Sequence, residues 1–250
     1  MPAPSCPLPV SARLAWWGTA WLRGTVGPDD AVHAVLGDDV AHVLGPGLPE
    51  PVGSGVLGAL LGLRSAGADA ASGLGLALPV EGDLLGLGGP RELNRAALDA
   101  GEAVVAVGAG LALVPSYVGP TVEWAVLPAA RRQLPDVGEA DRALRGGLLE
   151  AAEGLAALDV AKWRPEVADR LMDLRHRATP YAPPGVPARC VDLAARAVQA
   201  LEVVDLALED DGAAVSASEA RARRDALVPL ERAGRRALVA ACSPEVWPPA

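Results

Sequence analysis

The sequence predicts an α+β fold, with a mostly antiparallel sheet and helices in an N-terminal domain and an all-α helical bundle in a C-terminal domain. The pattern of apolar residues along the chain changes near residues 131–135. Short apolar runs broken by Gly and Pro precede this point, and long stretches with apolar residues at helical spacing follow it. The predicted order β-α-β-β-β before that point favours antiparallel pairing with helices on one face. We therefore expect two domains, over residues 1–134 and 135–250.

In the N-terminal domain, Gly, Pro and short polar residues mark the element boundaries. Ser11 is expected to cap a first helix that carries Trp16, Trp17 and Trp21 into the core. Pro28 opens a second helix that Gly37 ends, and further helices are predicted at 56–64 and 90–101. Strands are predicted at 41–44, 74–80, 103–107, 111–114 and 122–127. Gly108-Ala109-Gly110 is short enough to connect the strands at 103–107 and 111–114 as a hairpin. A hairpin turn explains this segment better than a glycine-rich dinucleotide-binding motif does.

Four helices are predicted in the C-terminal domain, enough for a small bundle. The first covers 139–158, and a second begins at Pro165. A loop with four prolines over 179–187 precedes the third helix, whose apolar stripe is the strongest periodic signal in the chain. That stripe contains Cys190, Leu193, Ala194, Ala197, Leu201, Val204 and Leu208. Ser216 and Glu219 fit a capping box for the fourth helix, which Pro229 should kink.

Composition limits the function more than it defines it. The hydrophobic fraction of 51% predicts a folded chain, and the net charge of −9 argues against non-specific binding to nucleic acid or to anionic membranes. Three widely spaced Cys suggest neither a disulfide framework nor a zinc site. With no signal-peptide pattern and no apolar span long enough for a bilayer, we expect a soluble cytoplasmic protein.

The first candidate site is a small-anion site at a Gly-rich segment that leads into a helix. Gly88 and Gly89 precede the predicted helix, and Arg91 and Arg95 lie four residues apart within it. Free backbone N–H groups at a helix start, flanked by arginines, suit a phosphate or carboxylate. The alternative is a plain strand-to-helix connection, which the nearby acids Glu81 and Asp83 favour.

The second candidate is a basic patch on the last helix, able to meet phosphates or an acidic partner. On an unbroken helix its members share one arc: Arg221, Arg224, Arg232, Arg235 and Arg236. Asp225 and Glu231 lie in or beside this arc, four residues from Arg221 and Arg235. That spacing is typical of a solvent face with salt bridges, which is the favoured interpretation.

No catalytic set and no metal site can be assembled from spacing. His33, Asp38, Asp39 and His42 carry ligand chemistry, but their segment is typical of a helix end and a turn. Ser116 lacks a nucleophile motif, and Cys190 falls on a buried stripe where a thiol is packed and inactive. We predict no catalytic residue, no metal and no cofactor.

Two segments carry a resemblance to a known group of proteins. LGLGGPRELNRAALDAGEAVV (85–105) and LALEDDGAAVSASEARARRDAL (206–227), with LVAACSP near the end, resemble conserved hypothetical proteins of high-GC actinobacteria. The resemblance implies a bacterial cytoplasmic protein and assigns no site residue. From the lack of a catalytic set we expect a non-enzymatic binding or regulatory protein that interacts with another protein. The alternatives are an anion- or nucleotide-binding domain or enzyme at residues 86–95, and nucleic-acid binding through the last helix.

Overall fold

The computed structural model describes residues 8–48, 53, 55–157, 179–209 and 217–248. Its strands are β1 (Ala41–Leu44), β2 (Gly75–Ala77), β3 (Ala103–Ala106), β4 (Leu111–Val118) and β5 (Thr121–Pro128). Its helices are α1 (Val10–Leu22), α2 (Pro28–Leu36), α3 (Val56–Ser65), α4 (Arg91–Ala100), α5 (Val137–Ala157), α6 (Ala188–Glu209) and α7 (Ala217–Ala241). Within the described residues the strands all precede α5, so the predicted α+β fold is confirmed.

The five strands form one mixed sheet in the order β1-β5-β4-β3-β2. All neighbours pair antiparallel except β1, which runs parallel to β5. The predicted hairpin between β3 and β4 is confirmed: Val107–Ala109 form a short 3-10 turn, and Gly110 adopts the left-handed conformation that L-residues avoid. The strand predicted at 74–80 is shorter, because the chain turns back at Val80 and pairs with Asp83.

The sheet separates a large core from a small one. On its inner face, Leu76, Val104, Leu113 and Trp124 join a continuous core with α1, α3 and the C-terminal helices. On its outer face, α4 packs through Leu93 and Ala97 over a smaller cluster of strand residues. These are Ala77, Ala103, Val105, Ala112 and Val114.

Helix α1 is buried over almost its whole length, as expected for the helix with the tryptophans. Trp16 and Trp17 are in the core, and the Trp16 Nε1–H donates to the carbonyl of Ala241 at 3.1 Å. The prediction that Ser11 caps this helix is wrong. The helix begins at Val10, and the Ser11 N–H donates to Glu102 Oε2 at 2.9 Å, so a distant carboxylate satisfies the helix start.

The C-terminal helices α5, α6 and α7 form a bundle in which α7 packs against both α5 and α6. The predicted stripe of α6 is buried at Cys190, Leu193, Ala194, Ala197 and Val204. Helix α7 continues through Pro229, and the kink expected at that residue stays a prediction. The predicted helix at Pro165 and the capping box at Ser216 lie outside the described residues.

Candidate functional site

The Gly-rich segment before α4 is closed by the backbone that follows β5. The Ala130 N–H donates to the Gly89 carbonyl at 2.9 Å, and a Cβ atom at Gly88 would collide with the carbonyl oxygen of Arg131. Arg91 and Arg95 are exposed on α4. The glycines therefore allow this segment to lie directly against the backbone of residues 130–131. The atom beside Gly88 is the carbonyl oxygen of Arg131, whereas an anion would need N–H donors there.

A residue that the sequence analysis missed, Arg132, binds the other side of this segment. Its guanidinium donates to the carbonyls of Leu76 at 2.7 Å and Gly86 at 3.1 Å. It also binds the Glu245 carboxylate, with Nη2–Oε1 at 2.9 Å. Burial lowers the pKa of Arg132, and the charge of Glu245 opposes this shift. Arg132 thus fastens β2, the Gly-rich segment and the C-terminal segment into one unit.

The arginines of α7 do not form one exposed face. Arg235 is buried, donates to the Leu78 carbonyl at 2.9 Å and lies 3.2 Å from Asp83 Oδ2. Its assignment to an exposed basic patch is therefore wrong, because the helix face that carries it packs on the N-terminal domain. Arg232 is exposed beside the same Asp83, and Arg236 is half-buried. Arg221 and Arg224 are exposed, and nucleic-acid binding through them stays a prediction.

The segment of paired His and Asp residues forms a buried network with α1. Arg13 donates to Asp39 Oδ2 at 2.6 Å, and His42 Nε2 lies 3.2 Å from the same oxygen. The indole N–H of Trp124 donates to His42 Nδ1 at 3.3 Å, which makes Nε2 the protonated nitrogen of a neutral imidazole. Burial lowers the pKa of His42, and the hydrogen bond to Asp39 opposes this shift. Both ring nitrogens are engaged, so the imidazole is held as a structural group.

A second polar group lies at the same end of α1. Glu102 accepts the Ser11 N–H, and the Tyr117 hydroxyl lies 3.5 Å from its other carboxylate oxygen. Burial raises the pKa of Glu102. Partial burial, followed by the charge of Glu102, raises the pKa of Tyr117 to about 12. The phenol therefore remains protonated at neutral pH and serves as a hydrogen-bond donor.

Within the described residues, neither candidate nucleophile is hydrogen-bonded to a His or a carboxylate. Cys190 is buried in the bundle, and this burial raises the pKa of its thiol to about 11. Ser116 is exposed on β4, and its hydroxyl donates to the Glu123 carbonyl at 3.4 Å. Among the described residues no cluster of His, Cys, Asp and Glu is suited to hold a metal ion. The same residues contain no helix that would span a bilayer.

A cleft at the start of α5 offers little room for a ligand. Its volume is about 190 Å³, and charged side chains of α5 and α6 line it, among them Asp141, Arg189, Asp192 and Arg196. Arg196 and Arg145 both bind Asp141, at 2.6 and 2.9 Å. Ligand pockets usually enclose roughly 300–1,000 Å³. In this cleft the Arg196–Asp141 ion pair joins α6 to α5.

The outer face of the sheet is covered over only part of its width. Helix α4 packs on β4 and β5 above the small core cluster, and the side chains towards β1 on this face are exposed or half-buried. Residues that are partners in register share a face, which places Val43, Glu123 and Ser116 in one row. We call the uncovered positions the open sheet face. They are Ala41, Val43, Ser116, Val118, Thr121, Glu123 and Ala125.

The open sheet face is more apolar than a solvated sheet face usually is. Antiparallel sheets that face water normally alternate apolar residues inward with polar residues outward. Here Val43 and Val118 are 41% and 56% exposed, and Ala125 is exposed as well. Just beyond the strand ends, Val40 is 73% exposed, and its N–H donates to the Pro120 carbonyl of the β4–β5 turn. The structure thus places exposed β-branched side chains on a rigid surface.

Comparison with known proteins assigns the chain to a family. The model for the N-terminal domain of Rv1486c-like proteins matches residues 11–138, and the model for their C-terminal domain matches residues 138–239. "Uncharacterized protein Rv1486c" of Mycobacterium tuberculosis H37Rv is 32% identical over an alignment 289 residues long, which covers 97% of this chain and 99% of that protein. "Uncharacterized protein MT1533" of the CDC 1551 strain is 31% identical with the same coverage. No solved structure matches. The chain belongs to the Rv1486c-like family, and the predicted resemblance to actinobacterial proteins is confirmed.

Proposed function

We propose that this member of the Rv1486c-like family is a non-enzymatic, cytoplasmic binding or regulatory protein, and that it binds another protein through the open sheet face. The observation that carries the proposal is the exposure of Val43 and Val118 on regular strands beside a half of the sheet that α4 covers. Exposed apolar patches on folded proteins often mark interaction sites, and Val43, Ala125 and Val118 lie on the three adjacent strands β1, β5 and β4 of this face. We also keep the two domains at 1–134 and 135–250 as a proposal.

The use of the buried charged groups supports a binding role over catalysis. Arg13, Arg132 and Arg235 each bind a carboxylate and at least one backbone carbonyl. His42 uses both ring nitrogens within the protein. A general base or an anion clamp needs at least one such group directed at a substrate. In the part of the chain that the structure describes, these groups instead join elements of the fold.

A second copy of the chain is a less suitable occupant than a different protein. Glu123 lies in the middle of the open sheet face, so a symmetric dimer through this face would bring the two Glu123 carboxylates close together. Like charges that meet at an interface disfavour association. The chain as a whole carries a net charge of −9, which adds to this repulsion.

Site-specific photo-crosslinking in the cells of origin tests the proposal. The photoreactive residue p-benzoylphenylalanine replaces Val43 or Val118, and a control replaces Asp99, which is exposed on α4. We expect both face positions, and not the control, to yield the same adduct with one other protein, identified by mass spectrometry. The purified partner should then bind the wild-type protein and lose at least tenfold in affinity for Val118→Asp. Adducts between copies of the chain, or no adduct at the face positions, would contradict the proposal.

A further inference from the structure

The open sheet face contains a single charged side chain, Glu123, and its position defines what a partner must supply. Glu123 lies on β5, between Val43 of β1 and Ser116 of β4 in the same row. It is exposed, and it has no ion-pair partner among the described residues. Along β5 its neighbours on this face are Thr121 and Ala125. The carboxylate is therefore the one charged group of the open sheet face, with Val43 and Ala125 as its apolar neighbours and Ser116 and Thr121 as its polar ones.

A partner that covers this surface removes the carboxylate from water. Burying an ionised carboxylate without a compensating donor costs several kcal/mol, which is enough to cancel the gain from the apolar contacts around it. Arg13 of α1, the helix that packs on the inner face of the sheet, is already bound to Asp39. The compensating donor has to come from the partner.

We infer that the partner presents an arginine or lysine side chain to Glu123, flanked by apolar residues that pack on Val43 and Val118. Arginine fits best, because its planar guanidinium binds a carboxylate with two hydrogen bonds and loses less hydration than an ammonium group. This inference rests on the proposed function and specifies the chemistry of the partner at the same surface. Asp38, exposed just before β1 and without an ion pair in the described residues, extends the acidic character of that edge.

Selection from a random peptide library displayed on phage tests the inference without knowledge of the partner. The immobilised full chain is the bait, and clones are kept when their binding is lost on Val118→Asp, which identifies the open sheet face as their site. We expect these clones to be enriched in Arg or Lys at one position between apolar residues. Their affinity should fall at least tenfold on Glu123→Gln and stay unchanged on Glu150→Gln, an exposed control on α5. Selection on Glu123→Arg should enrich Asp or Glu at that position instead.

The outcomes separate this inference from the proposed function. Clones that depend on Val118 but show no basic enrichment, or that bind Glu123→Gln as tightly as wild type, would overturn the inference and leave the proposed function standing. If no clone depends on Val118 and the photo-crosslinks at Val43 are also absent, the proposed function fails with it. Binding that falls equally in Glu123→Gln and Glu150→Gln would indicate attraction to net charge and would also overturn the inference.

Discussion

Replacing Arg132 with methionine tests whether the C-terminal segment is fastened to the sheet by a buried guanidinium. The Arg132 side chain is 1% exposed and holds Leu76 O, Gly86 O, the Ser243 hydroxyl and the Glu245 carboxylate. Gly75 leaves the space for it, since a Cβ atom at that position would collide with the guanidinium. Methionine fills most of the volume and supplies no donor.

The expected loss follows from the groups left behind. Hydrogen bonds that involve a charged group contribute about 1.5–3 kcal/mol each, and removing one partner of a buried ion pair costs about 3–5 kcal/mol. Glu245 is 23% exposed and recovers part of its hydration, so these contributions do not simply add. We expect Arg132→Met to lower the free energy of unfolding by about 3–5 kcal/mol.

Urea unfolding followed by tryptophan fluorescence is the assay, because Trp16 and Trp247 both donate to the Ala241 carbonyl beside this segment. The neighbouring Arg131 is exposed, and Arg131→Met should change stability by less than about 0.5 kcal/mol. The milder Glu245→Gln gives a measurable variant if Arg132→Met does not fold. A loss below about 1 kcal/mol for Arg132→Met, or one equal to that of Arg131→Met, would refute the reasoning.

Two further predictions concern the buried histidine and the close approach of two backbone segments at Gly88. Burial lowers the pKa of His42 in the folded state, whereas in the unfolded chain its pKa is about 6.5. The unfolded chain therefore binds more protons as the pH falls through about 6.5, and the free energy of unfolding should decrease. His42→Gln should flatten this slope between about pH 5.5 and 7.5 in urea titrations, and an unchanged slope would exclude His42 as its cause. Gly88→Ala should destabilise by about 1–3 kcal/mol, because its Cβ meets the Arg131 carbonyl. The control is Gly146→Ala on α5, where a Cβ atom has open space, and it should stabilise the protein by about 0.5–1 kcal/mol. Both variants are measured by calorimetry, and equal shifts in Tm for Gly88→Ala and Gly146→Ala would contradict the close approach at Gly88.

The features that the sequence predicts correctly are those encoded locally. The apolar stripe of α6 from Cys190 to Val204 repeats at the helical period, so its buried face follows from spacing alone. The β3–β4 hairpin follows from two glycines, one of which adopts a conformation that other residues avoid. The strand predicted at 74–80 is shorter, because Leu78 and Val80 form hydrogen bonds with Leu85 and Asp83 of the returning chain, and the apolar run does not show which partner its residues take.

The features that the sequence does not predict depend on residues far apart in the chain. Arg132 and Glu245 are 113 positions apart, and Ser11 and Glu102 are 91 apart, so no spacing rule connects them. On an isolated helix Arg235 would lie on the face exposed to solvent, and it becomes buried only when α7 packs on the N-terminal domain. The open sheet face likewise depends on which strands α4 packs on, which is a property of the assembled layers.

Rates of cysteine labelling test the central claim, that half of the outer sheet face is open to solvent, most directly. A cysteine replaces Val43, Ala125 or Val114 in a Cys6→Ser background, which keeps the buried Cys190 and Cys242 and is itself labelled as the control, and a maleimide reagent is added to the native protein. Val43→Cys and Ala125→Cys should react at least a hundredfold faster than Val114→Cys, which α4 covers. If Val43→Cys is protected as strongly as Val114→Cys in the isolated protein, the face is not open, and the binding role proposed for it has no surface to use.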